Sequence, residues 1–171
     1  MLEFVAHMLI GTPIWVYVLF VFLLIRGIKA RQPATVTLER LSIIPLIFLA
    51  WDLYDLVLYR HLTLGVVMLW MAVLIIGAAL GYWLIKPERL SRGSAPRTIN
   101  RPADYSALPL MMTAFAIKYV FGVMAEVSPQ TLQQPGMSAT AVVVGGLFAG
   151  SFIGKFTRYL QCYFARTQKG I

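Results

Sequence analysis

Residues 62–85 read LTLGVVMLWMAVLIIGAALGYWLI, 24 consecutive positions without Asp, Glu, Lys, Arg or His. At about 1.5 Å rise per residue, a helix of that length is longer than the about 30 Å hydrocarbon core of a bilayer. The stretch predicts a membrane-spanning helix. The composition around it agrees. Of 171 residues 59% are hydrophobic and 13% are charged, where a soluble domain carries about 25% charged, and the mean hydropathy is +0.75. That excludes a disordered chain, a disulfide scaffold and almost any soluble fold.

Working outward from 62–85, four further apolar segments appear. Residues 4–25 contain no Asp, Glu, Lys or Arg. Residues 41–59 are apolar apart from Pro45, Asp52 and Asp55, residues 108–125 enclose Lys118, and residues 137–157 are apolar but diluted by glycine. The prediction is an all-α integral membrane bundle of five transmembrane helices forming a single membrane domain over 1–171. A cleaved secretory signal is the rival for the first segment, but such signals place basic residues before the apolar run. Here only Glu3 precedes it, while Arg26, Lys29 and Arg31 follow. The loop 86–104, with its Pro, Ser, Gly and Arg content, reads as an irregular surface loop too short for a domain. Residues 128–136, uncharged and rich in Gln and Pro, read as a short external connection.

Counting Lys and Arg by loop sets the orientation. The first loop and its flanks hold Arg26, Lys29, Arg31 and Arg40; the third holds Lys86, Arg89, Arg92, Arg97 and Arg101; the tail holds Lys155, Arg158, Arg166 and Lys169. The opposite side has only Arg60, so the net charge of +8 is a topology signal. It predicts an outside N-terminus, a cytoplasmic C-terminus and attraction of the basic loops to anionic lipid headgroups, each residue contributing about 1 kcal/mol. Nucleic acid is not an expected partner.

The sharpest chemical signal is Asp52, Asp55 and Lys118, because a charge at mid-bilayer costs at least about 2.5 kcal/mol. Asp52 lies eleven residues after Leu41 and Lys118 ten after Leu108, so both are about 15 Å deep, and Asp55 is on the same helix face as Asp52. Three readings stay open: a proton or ion relay, a fixed ion pair that sets helix packing, and side chains that snorkel outward without meeting. A second group, His7, Arg60, His61 and Glu126, falls on the external side. With Met8 or Met124 its histidines could ligate haem or copper, but the spacings such sites use are missing, and neither a metal nor another cofactor is expected.

Glycines at helical spacing speak of packing. Gly146, Gly150 and Gly154 form one stripe, and Gly77 and Gly81 another, each allowing close backbone approach. They predict contact between the third and fifth helices, with a homodimer seam on the fifth as the alternative. Trp51 and Trp70 lie too deep for interfacial anchors and are expected inside the bundle. Ser42-Ile43-Ile44-Pro45-Leu46 and Ser106-Ala107-Leu108-Pro109-Leu110 hint at a parallel repeat, although proline in the first turn of both helices would explain the likeness alone. Cys162 is the only cysteine, so no internal disulfide forms. No nucleophile with a base, phosphate-binding glycine loop or zinc spacing is present, and no catalytic residue is expected.

Thr12-Pro13-Ile14-Trp15-Val16, then Arg26-Gly27-Ile28-Lys29-Ala30-Arg31, then Arg40 with Pro45 resemble the start of a family of small bacterial inner-membrane proteins of unassigned function. They are more distantly similar to CcdC-type membrane proteins. The resemblance implies a bacterial inner membrane and about five helices, and it transfers no catalytic residue. Two function classes follow. One is a structural or accessory component that binds a second copy or another membrane protein. The other is a small transporter or ion- or proton-conducting protein using the Asp–Lys pair. The first is preferred, because the sequence lacks the broken helices of a substrate path.

Overall fold

A computed structural model describes residues 12–59, 63–86 and 90–167. In chain order the elements are α1 (Ile14–Ala30), β1 (Ala34–Thr37), α2 (Leu38–Tyr59), α3 (Leu64–Leu84), β2 (Ser91–Arg92), β3 (Thr98–Arg101), α4 (Ala107–Val127), α5 (Pro129–Gln133) and α6 (Pro135–Thr167). Four of the described helices are long and apolar enough to cross a membrane: Leu38–Leu58, Leu64–Leu84, Ala107–Val127 and Pro135–Ala165. Between 22% and 39% of each apolar window is buried within the protein. Many of their large apolar side chains, including Leu64, Met68 and Trp83, are exposed. Such a surface is stable against acyl chains and not against water, and the chain reads as a multi-pass membrane protein.

Local chemistry explains the ends. Thr63 caps α3, its hydroxyl accepting from the Val66 amide. Pro13, with φ −58° and ψ 142°, stands outside α1 and starts it at Ile14. A continuous helix over 4–25 is therefore excluded: α1 is shifted toward the basic loop and has 17 residues, about 26 Å. Residues 4–11 of the expected span lie outside the described residues. Arg101 terminates α1 from a distance, donating through Nη1 to Ala30 O at 2.8 Å and through Nη2 to Lys29 O at 3.1 Å. A guanidinium on the last carbonyls meets both their missing donors and the negative end of the helix dipole.

Three further expectations need correction. The segment 86–104 is not an irregular loop: β3 pairs antiparallel with β2 and with β1, Ala34 opposite Arg101 and Val36 opposite Ile99. This small sheet tucks Ile99 and Leu90, each 1% exposed, against Ile85, Tyr159 and Cys162. Its ladder joins the α1–α2 and α3–α4 connections, so both lie at one end of the bundle. The last helix extends ten residues beyond the expected 157, to Thr167, because Tyr159 and Cys162 complete that same cluster. Finally, Pro109 is in the first turn of α4, whereas Pro45 is the eighth residue of α2, so the shared opening occupies different helical positions and first-turn proline explains only one of them.

Packing is dominated by α3 against α6. Added Cβ atoms at Gly77 and Gly81 would land on the backbone of Leu147 and Ser151, and ones at Gly150 and Gly154 on that of Leu74 and Ala78, all inside 3.0 Å. A Cβ added at Gly146 would stand 3.2 Å from Trp70 O. Both glycine stripes are consumed within one chain, which leaves none for a homodimer seam. Beside this pair, Phe48 of α2 stacks on Phe152 of α6 with centroids 4.5 Å apart. Leu23 of α1 and Ala114 of α4, both fully buried, close the core.

Candidate functional site

Two helices deliver charge to one point, and a third supplies a donor. Asp52 and Asp55 project from one face of α2, and Lys118 from α4 places Nζ 2.5 Å from Asp52 Oδ1 and 2.7 Å from Asp55 Oδ2. The Asp52 and Lys118 side chains are 4% and 8% exposed, that of Asp55 26%. Trp70 of α3 donates its indole N–H to Asp52 Oδ2, so each Asp52 oxygen has its own donor. Each charge-assisted hydrogen bond contributes about 1.5–3 kcal/mol, which offsets part of the cost of burying these charges.

Gly145 makes the room. A Cβ there would press on Asp52 Oδ1 and stand 3.2 Å from Lys118 Nζ. The adjacent glycines thus serve two faces: Gly146 admits α3, and Gly145 admits the ion pair. The cavity left beside the triad is about 20 Å³, space for about one water molecule. Trp70 and Gly145 were missed from sequence, though both left a signal. A deep indole needs an acceptor, and a second glycine beside a glycine stripe needs a second neighbour.

A second buried pair was also missed. Lys155, counted above among the tail charges, is 6% exposed and donates to Asp104 Oδ2 at 2.9 Å and to Ser106 Oγ at 2.7 Å. Ser106 also donates its amide and hydroxyl to Asp104 Oδ1, at 3.1 and 2.6 Å. Burial pushes the Asp104 carboxyl upward, but the Lys155 charge and the hydrogen bonds from Ser106 and Lys155 outweigh it and hold the group below the usual range. The signal was the spacing of Asp104 and Ser106, at the start of a helix where such side chains accept backbone donors.

A family model, DUF6622, a family of unknown function, matches residues 2–169. The chain belongs to that family. The more distant likeness to CcdC-type proteins is not shown. No curated protein and no solved structure matches the chain. For this DUF6622 protein the chemistry must therefore come from its own residues. Of the external group, His7, Arg60 and His61 lie outside the described residues, and Glu126 is exposed near the end of α4. The described residues contain no cluster of three or more His, Cys, Asp or Glu side chains.

Proposed function

We propose that this DUF6622 protein is a structural or accessory component of the bacterial inner membrane, with α1 as a fifth, short span, the N-terminus outside and the C-terminus in the cytoplasm. The single observation behind it is the closed state of the intramembrane triad. Both Asp52 oxygens, one Asp55 oxygen and the Lys118 ammonium are engaged with one another or with Trp70. The space beside them is about 20 Å³. Such an arrangement specifies which helices pack together, and a space of that size admits about one water molecule. The orientation rests on the basic residues at the sheet end, including Arg31, Arg92 and Arg97. Its partner is a second copy of the chain or another membrane protein.

One observation favours the alternative, a proton- or ion-conducting protein. Asp52, Asp55 and Lys118 are ionisable side chains gathered within apolar helices, where such groups mark proton and ion pathways. Flux assays in proteoliposomes separate the readings. The accessory role expects dissipation of a pH gradient no faster than in empty liposomes. Flux from the wild type that vanishes in Asp52→Asn would overturn it. Cysteine labelling in intact cells tests orientation: residues 90–100 are expected to be shielded from an impermeant reagent, and labelling from outside would refute the topology.

A further inference from the structure

At the sheet end, α1, α2, α4, α6 and β1 enclose a cavity of about 470 Å³. Its lining is divided. Phe22, Ile44, Met111, Phe152 and Phe156 form an apolar floor, while Arg26, Lys29, Arg40, Arg101 and Lys155 bring five cations against one carboxylate, Asp104. Lys155 and Asp104 neutralise each other. Arg101 is committed to the last carbonyls of α1. Among the described residues no carboxylate forms an ion pair with Arg26, Lys29 or Arg40.

Arg26 is only half exposed, donates to Arg40 O, stands over the Phe22 ring and is repelled by the charges of Arg40 and Arg101. Gathering like charges beside an apolar cavity is unfavourable until an anion enters. A free phosphate would satisfy the cations and leave the floor exposed; a neutral lipid would cover the floor and leave the cations unpaired. An anionic phospholipid does both.

We infer that this cavity is a binding site for one anionic phospholipid, its phosphate held by Arg26, Lys29 and Arg40 and the head of one acyl chain lying on Phe22, Ile44, Met111 and Phe152. The inference rests on the membrane reading proposed above but not on the absence of transport. Bound lipid would join α1, α2 and the sheet at the level of the headgroups, beside the bonds that Arg101 and Asp104 make to the end of α1.

The test uses the full chain, delipidated in mild detergent and examined by native mass spectrometry. The probes are phosphatidylglycerol and phosphatidylcholine with identical acyl chains, and inorganic phosphate. One phosphatidylglycerol adduct is expected, retained at least about tenfold better than phosphatidylcholine, whose headgroup carries no net charge. Millimolar phosphate should not displace it. Lys29→Gln with Arg40→Gln, both exposed positions, should weaken phosphatidylglycerol about 30-fold and phosphatidylcholine much less, so that the preference is lost. Arg40→Lys, which keeps the charge, should retain binding and guard against a folding artefact. Equal retention of the two lipids, full displacement by phosphate, or an indifferent double variant would each overturn the assignment. These outcomes are independent of flux, so failure here and failure of the accessory role are distinguishable.

Discussion

Lys118→Met is the most informative perturbation of the triad. It preserves the length and apolar stem of the side chain while deleting an ammonium that donates at 2.5 Å to Asp52 and 2.7 Å to Asp55. Two charge-assisted hydrogen bonds at about 1.5–3 kcal/mol each suggest a loss of about 3–6 kcal/mol. Breaking a buried pair from one side costs about 3–5 kcal/mol. Both routes converge because Asp52, 4% exposed, would keep only the Trp70 indole as a compensating donor. Asp52→Asn is milder, about 2 kcal/mol, since Lys118 retains Asp55 and an amide oxygen can still accept from Trp70. In the double variant the buried carboxylate is gone as well as its partner, and the total should be nearer about 3 kcal/mol than the sum of about 5–8. Reversible unfolding of the detergent-solubilised protein, followed by circular dichroism, would measure all three. Additivity within about 0.5 kcal/mol would refute the reasoning, because side chains in direct contact must couple.

Two other outcomes follow from the structure. Gly150→Ala should destabilise the fold by about 1–3 kcal/mol, because its Cβ meets the rigid backbone of α3. Gly122→Ala, with open space around it, should be neutral or stabilising in the same unfolding assay, and equal effects at the two sites would show that α3 and α6 do not touch as described. Asp104 has a folded pKa depressed below its unfolded value near 3.9, so its contribution is full above about pH 4 and is lost as pH falls through the folded value. Asp104→Asn should therefore lower stability at neutral pH and make acid unfolding less steep; an unchanged acid transition would separate Asp104 from stability.

Much of the bundle is visible in local sequence. The run 62–85 and the apolar stretches around Pro45, Lys118 and Gly150 announce helices because hydropathy over about 20 residues is a local property with one solution in lipid. The depth of Asp52 and Lys118 follows from counting, because a helix advances a constant distance per residue. Helix ends are less visible. Pro13 moves the start of α1 inward, and α6 continues beyond Arg158 because distant residues give its last turns a surface to cover.

What the sequence by itself determined is the solvent: the content and spacing of apolar residues require a membrane, intramembrane charges require partners, and glycine stripes require a close neighbour. The choice of partner belongs largely to the tertiary structure. The matching stripes Gly77/Gly81 and Gly146/Gly150/Gly154 already paired α3 with α6, but nothing local marked Trp70 as the third member of the triad. The strands were illegible for the same reason. Each has at most four residues, and Val36 and Ile99 acquire their ladder only when two connections far apart in the chain are brought to one end of the bundle. Lys155 shows the point most plainly. By position it is one more charge at the foot of a membrane helix; the fold places Asp104 and Ser106 against it, and burial with a partner turns a topology signal into a structural bond.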